Sequence, residues 1–217
     1  MDSSENKLIH SLICFGIVML LYFSSYFIIM FSHNLKELIS SGYATSLAAI
    51  ITWLPLSIIA IKQYSRYYDD IKFGNADFKS ILFFGSFTVI LYIIATFYPQ
   101  PELWLDSVSS YSKTAFILFS ISTCILAPIY EEIMFRGFML NSFILWGPRM
   151  KTIGIVCTSM IFSSIHYQYN SPTTFIYLFI FSVILCYARI HKKGLAVPIV
   201  LHGINNSWSI FLLLLSR

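Results

Sequence analysis

Pro128-Ile129-Tyr130-Glu131-Glu132-Ile133-Met134-Phe135-Arg136-Gly137 sets two adjacent carboxylates and a guanidinium inside otherwise apolar chain. The flanks, 114–130 and 138–146, are almost wholly apolar. A charge at mid-bilayer costs about 2.5–3.5 kcal/mol on insertion scales, and such residues mark functional sites. The other acids, Asp2, Glu5, Glu37, Asp69, Asp70, Asp77, Glu102 and Asp106, fall in expected loops or at the N-terminus. Glu131 and Glu132 do not, and the fold has to account for them.

Working outward, the 217 residues are 57% hydrophobic and 11% charged, with a mean hydropathy of +0.74. A soluble domain carries about 25% charged residues. The composition therefore points to an all-α, polytopic integral membrane helix bundle. The net charge of +4 does not point to nucleic acid; it reflects lysine and arginine in loops on one side. Stretches of about 20 apolar residues mark spans. They occur at 8–31, 43–61, 80–98, 114–146, 152–169, 173–190 and 195–215, giving about seven helices. The first run is too long for a signal-peptide core and has no clear cleavage site, so it is expected to be a retained span. The fourth is long enough to tilt or overhang the bilayer. With no repeat and no low-complexity segment, residues 1–217 are expected to form one membrane domain. Within it, 1–113 carries no recognised motif and 114–217 carries the chemistry.

Placing the N-terminus inside puts ten Lys and Arg residues in cytoplasmic segments and three outside, with Arg136 left in the membrane. That satisfies the positive-inside rule, with the C-terminus outside. Cys14, Cys124, Cys157 and Cys186 all lie in apolar runs without metal-type spacing and are expected to be packed thiols.

Glu132 and Arg136 are four apart, share a helix face and can pair. Glu131 lies about 100° around the helix. This predicts a division of labour: an orienting Glu132–Arg136 pair, and Glu131 free to act as a base. Pro128 removes a backbone donor and can kink the helix beside it. The competing reading is an ion-pair cluster that only glues helices together. His10, His33 and His191 are expected at interfaces or in solvent. His166 and His202 fall within the fifth and seventh expected spans. Phe162 sits one turn before His166, and Asn206 one turn after His202, on shared faces. Unpaired polar groups in lipid cost several kcal/mol each, so these side chains are expected to converge on one cavity. No expected span contains Asp, which excludes a two-aspartate protease. Ser163 and Ser164 are poorly placed to use His166 as a base. Trp104 and Trp146 read as interface anchors, with Trp53 and Trp208 packed in the bundle.

Glu131-Glu132-x-x-x-Arg136, Phe162-x-x-x-His166 and His202-x-x-x-Asn206, in that order, resemble the three motifs of the CAAX-protease and bacteriocin-processing (Abi) family of intramembrane endopeptidases. The resemblance covers 114–215 and implies peptide-bond hydrolysis at or within a membrane. It implies Glu131 and His166 as activators of water, and His202 and Asn206 as ligands of the substrate carbonyl or oxyanion. Glu132, Arg136 and Phe162 would orient them. Family members are commonly called metalloproteases. Glu131, His166 and His202 could hold zinc with one position open, and a metal-free carboxylate mechanism fits the same residues. The expected setting is a bacterial cytoplasmic membrane, the lipid bilayer its surroundings and a peptide or membrane-protein tail its substrate. His202 lies nearer the inner end of its helix, which favours a site open to the cytoplasm. The family also allows a toxin-binding immunity protein that needs no catalysis. A proton-coupled transporter is disfavoured by the lack of repeat symmetry.

Overall fold

A computed structural model describes residues 3–24, 26, 34–98 and 102–216 of the chain. Among these residues the only regular structure is helical. The helices are α1 (Ser3–Phe23), α2 (Leu35–Ser40), α3 (Ala44–Tyr64), α4 (Phe78–Thr96), α5 (Trp104–Ser109), α6 (Lys113–Ile144), α7 (Pro148–Ser164), α8 (Pro172–Lys192) and α9 (Ala196–Ser216). Asp2, His33, Arg217, the end of the first expected span and Pro99 lie outside the described residues.

Helix boundaries follow from local chemistry. Asp77 and Ser112 cap α4 and α6 by accepting hydrogen bonds from the Ser80 and Ala115 amides, at 3.0 and 3.2 Å. Pro148 and Pro172 occupy the first turns of α7 and α8, where a missing amide costs nothing. Gly147, at φ 99°, separates α6 from α7, and Lys193, at φ 49°, ends α8 in the left-handed conformation.

Six helices are long and apolar enough to cross a membrane: α1, α3, α4, α6, α8 and α9. They match six of the seven expected spans. The remaining one, expected over 152–169, is shifted in its bounds: α7 runs from Pro148 and stops at Ser164 after 17 residues. The polar run His166–Ser171 follows as a loop, so His166 lies beyond the helix and not within a span. Ser163 donates to the carbonyl of Phe175 at 2.7 Å, turning the chain back into α8.

The 32-residue α6 is the axis of the bundle. It touches α1, α3, α7, α8 and α9, while α4 covers α8 and α9 from outside. Outward faces stay apolar: Leu82, Phe83, Val89, Ile90, Ile93 and Ile94 of α4 are exposed. A helix apolar on every side, with its outer face uncovered, has lipid as its solvent. Trp208 is corrected from a packed to an exposed residue, its ring beside Tyr92 and Phe211. All four cysteines are free thiols.

Two π turns sit just ahead of prolines. Residues 49–53 precede Pro55 in α3, and residues 122–126 precede Pro128 in α6. A proline has no amide to give the preceding turn, so carbonyls there are left without helical partners. A third π turn, 133–139, carries Arg136 and Gly137.

Candidate active site

Glu132 and Arg136 are fully buried in the middle of α6. The Arg136 Nη1–H donates to Glu132 Oε1 at 2.8 Å, as their spacing predicts. Arg136 Nη2 donates to the hydroxyl of Ser182 at 2.7 Å and to the Ser182 carbonyl at 3.2 Å, pinning α8. The guanidinium carbon lies 4.6 Å from the centroid of the Phe162 ring, which brings in α7. Ile133, Phe135, Phe138, Phe162 and Leu195 form an apolar sleeve around the pair. The two charges are thus paired inside a buried core, with Glu132 Oε2 and Arg136 Nε lacking a protein hydrogen-bond partner among the described residues.

His202, from α9, joins the same carboxylate. Its Nδ1–H donates to Glu132 Oε1 at 2.8 Å. A carboxylate only accepts, so this bond fixes the proton on Nδ1 and turns Nε2 the other way. Nε2 lies 3.8 Å from Oε2 of Glu131. That oxygen is buried and has no protein hydrogen-bond partner among the described residues. The gap is too long for a direct hydrogen bond. It suits a small polar molecule touching both groups.

His166 approaches from the loop after α7. Its Nδ1–H donates to the carbonyl of Phe162 at 2.6 Å, which leaves Nε2 as an acceptor in the neutral ring. Phe162 stands between the two imidazoles, 4.7 Å from His166 and 5.8 Å from His202 by ring centroids. Burial lowers the His166 pKa, and the nearby Glu131 carboxylate opposes that shift. Glu131, His166 and His202 therefore share one neighbourhood.

Asn206 binds the π turn. Its side-chain amide donates to the carbonyl of Thr123 at 2.9 Å, an acceptor available because Pro128 lies five residues on. Gly203 lets α9 approach: a Cβ there would sit 3.1 Å from the Cys124 carbonyl. The Thr123 bond orients the Asn206 amide with its oxygen toward Asn205, whose amide lies 3.5 Å away. Tyr177 donates to Asn205 Oδ1 at 2.5 Å.

Ser182, Thr123, Tyr177, Asn205 and Glu102 are site neighbours that the motif spacing did not reveal. Glu102 holds the loop beside His166: its carboxylate accepts from the amides of Asn170 and Ser171, at 2.7 and 3.4 Å, and from the Thr174 hydroxyl. Trp104 packs edge-on against Tyr169, 5.4 Å away, and Tyr169 stacks on His166. Ser163 and Ser164 both spend their hydroxyls on backbone carbonyls, which agrees with leaving them out of the chemistry.

The donor set was compared with what zinc requires. No group of three or more His, Cys, Asp or Glu side chains among the described residues is arranged to hold a metal ion. As placed, Glu131 and His202 offer a facing pair, and His166 does not complete a three-ligand set with them.

Residues 113–208 match the family model described as "Rce1-like: Type II CAAX prenyl endopeptidase Rce1-like". A protein of Escherichia coli described as "Uncharacterized 24.3 kDa protein" is 40% identical over 86 residues, which cover 40% of each chain. No solved structure matches. The family match contains every motif residue from Glu131 to Asn206. Over this segment, less than half of its length, the chain is similar to the Rce1-like family of CAAX endopeptidases, and its six long apolar helices fit a multi-pass membrane protein.

Proposed function

We propose that this chain is an intramembrane endopeptidase that hydrolyses a peptide bond with carboxylate-activated water. The observation that carries the proposal is the unpartnered, buried Glu131 Oε2 facing His202 Nε2 across 3.8 Å. A structural ion pair would close that gap; a site for water and a carbonyl keeps it open.

Glu131 takes a proton from water as the water oxygen bonds to the scissile carbonyl carbon. The acceptor nitrogen of His166 helps hold that water. We assign His202, held by Glu132 through Nδ1–H, and the Asn206 amide as the groups that would face the oxyanion. When the C–N bond breaks, Glu131 returns the proton to the leaving amine. Glu132 and Arg136 orient His202, and Ser182 and Phe162 orient Arg136. The lysine and arginine distribution supports a cytoplasmic N-terminus, and a bacterial cytoplasmic membrane is proposed as the setting by analogy with the family.

The test uses purified protein in lipid nanodiscs with two quenched fluorogenic peptides, one ending in a prenylated CAAX box and one in an unmodified apolar tail. Wild type is expected to cleave at least one of them. Glu131→Gln and His166→Ala are each expected to lose about 10²–10⁴-fold in rate, the usual contribution of a general base, at unchanged expression. If both variants process peptide like wild type, the protease reading fails. A toxin-binding immunity role then gains.

A further inference from the structure

A second polar cluster lies outside the site, at the end of the bundle where α1 begins and α6 ends. Its centre is the segment 65–77 between α3 and α4. This segment has no helix or strand, and Ile71 is its one buried side chain. Asp70 Oδ2 accepts from the Tyr64 hydroxyl at 3.1 Å and from the Asn141 amide at 2.6 Å, and lies 3.3 Å from His10 Nε2. Its backbone carbonyl accepts from Arg189 Nη2 at 3.0 Å. One residue thus ties α1, α3, α6 and α8. His10, expected at an interface or in solvent, stacks on Tyr68 at 3.9 Å and hydrogen-bonds the Tyr64 hydroxyl. Beneath lies Cys14, unexposed, its Sγ 3.4 Å from the Tyr64 hydroxyl.

The remaining ties are also polar or backbone contacts. The amides of Leu195 and Ala196 donate to the carbonyls of Lys72 and Phe73 at 3.0 and 2.7 Å. Lys192 pairs with Asp77 at 2.6 Å. Gly194 lies flat on Gly74: a Cβ on Gly194 would sit 2.6 Å from the Phe73 carbonyl oxygen and 2.9 Å from Gly74 Cα. Ile71 covers Gly137, the residue after Arg136; a Cβ there would meet Ile71 Cγ2 at 3.5 Å. The segment therefore stands between the Glu132–Arg136 pair and the exterior at this end. A stretch with one buried side chain and otherwise polar ties belongs to the easily opened part of a fold.

We propose that residues 65–77 form a releasable strap over this end of the bundle, with Asp70 as its clasp. On the protease reading, which this extends, lifting the strap uncovers the end of α6 beside the catalytic carboxylates and controls how a peptide reaches them.

Cys14 and Cys186 are both unexposed, the first beneath the clasp and the second among α6, α7 and α8. The full chain, carrying Cys124→Ser and Cys157→Ser, is treated with N-ethylmaleimide in nanodiscs, and alkylation at each cysteine is followed by mass spectrometry. Asp70→Ala removes the clasp; Gly194→Ala pushes the strap off by its new methyl group. Both are expected to raise the Cys14 rate about tenfold with Cys186 unchanged, as a local opening requires. Cys14 unchanged in either variant, or rising together with Cys186, overturns the proposal. No step of the assay needs cleavage, so this result is independent of whether the chain is a protease.

Discussion

Replacing Arg136 by methionine keeps the length and apolar bulk of the side chain and deletes its charge. The loss can be worked from its contacts. Glu132, with no exposure, keeps only the 2.8 Å bond from His202. Ser182 loses the donor to its hydroxyl and carbonyl, and the Phe162 face loses its cation. Removing one partner of a buried pair costs about 3–5 kcal/mol, because the other charge is left uncompensated. Glu132→Leu alone strands the guanidinium and is expected to cost a similar amount. The double variant strands neither charge, and replacing a whole buried pair with apolar residues is often near neutral. Its loss should therefore fall short of the sum of the single losses, about 6–10 kcal/mol, by most of that amount. The assay is reversible unfolding in bicelles by added sodium dodecyl sulfate, read by tryptophan fluorescence. A single-variant loss below about 1 kcal/mol, or a double variant equal to the sum, would refute the assignment of this pair as the organiser of the core.

Other outcomes follow from the same geometry. Asn206→Ala should lower kcat on a cleaved peptide by about 10²–10³-fold with little change in KM, as loss of an oxyanion donor does; an equal rise in KM would make it a ground-state binding residue instead. Purified active protein should contain no stoichiometric zinc by mass spectrometry and keep its rate in a chelator; zinc near one per chain, with activity lost on its removal, would reverse the metal-free reading. The Lys192 ammonium, helped by the Ser80 amide, holds the Asp77 carboxyl well below the usual carboxylate range. The stability it adds is therefore present above the ordinary carboxylate pKa and is lost as pH falls through the depressed value. Melting curves of wild type and Asp77→Asn should differ at pH 7 and converge in strong acid, and a gap that widened in acid would contradict this.

Much of the site was legible because it is written in helical periodicity. Four-residue spacing gave the Glu132–Arg136 bond and the Phe162–His166 contact, and the cost of lone polar groups in lipid gave the meeting of α6, α9 and the loop after α7. Ser182 stayed hidden because a lone serine in a span carries no periodic signal; its value to Arg136 comes from the packing of α8, 46 residues away. The sequence reading puts His10 at an interface or in solvent and Asp70 in a loop, because one sits at a span end and the other between spans. A loop that folds back over its bundle leaves no mark in hydropathy. The end of α7 was misplaced for a related reason: Tyr167 and Tyr169 prolong the apolar count, while the backbone has already turned at Ile165.

The π turn at 122–126 has one more consequence. It inserts an odd residue into α6 just ahead of the acids, and one residue is worth about 100° of helical rotation. Everything from Pro128 to Gly137 is clocked by that extra step. Straightening the turn to an ordinary helix without removing a residue would swing both carboxylates about a quarter-turn off their partners, although none of the motif residues had been touched.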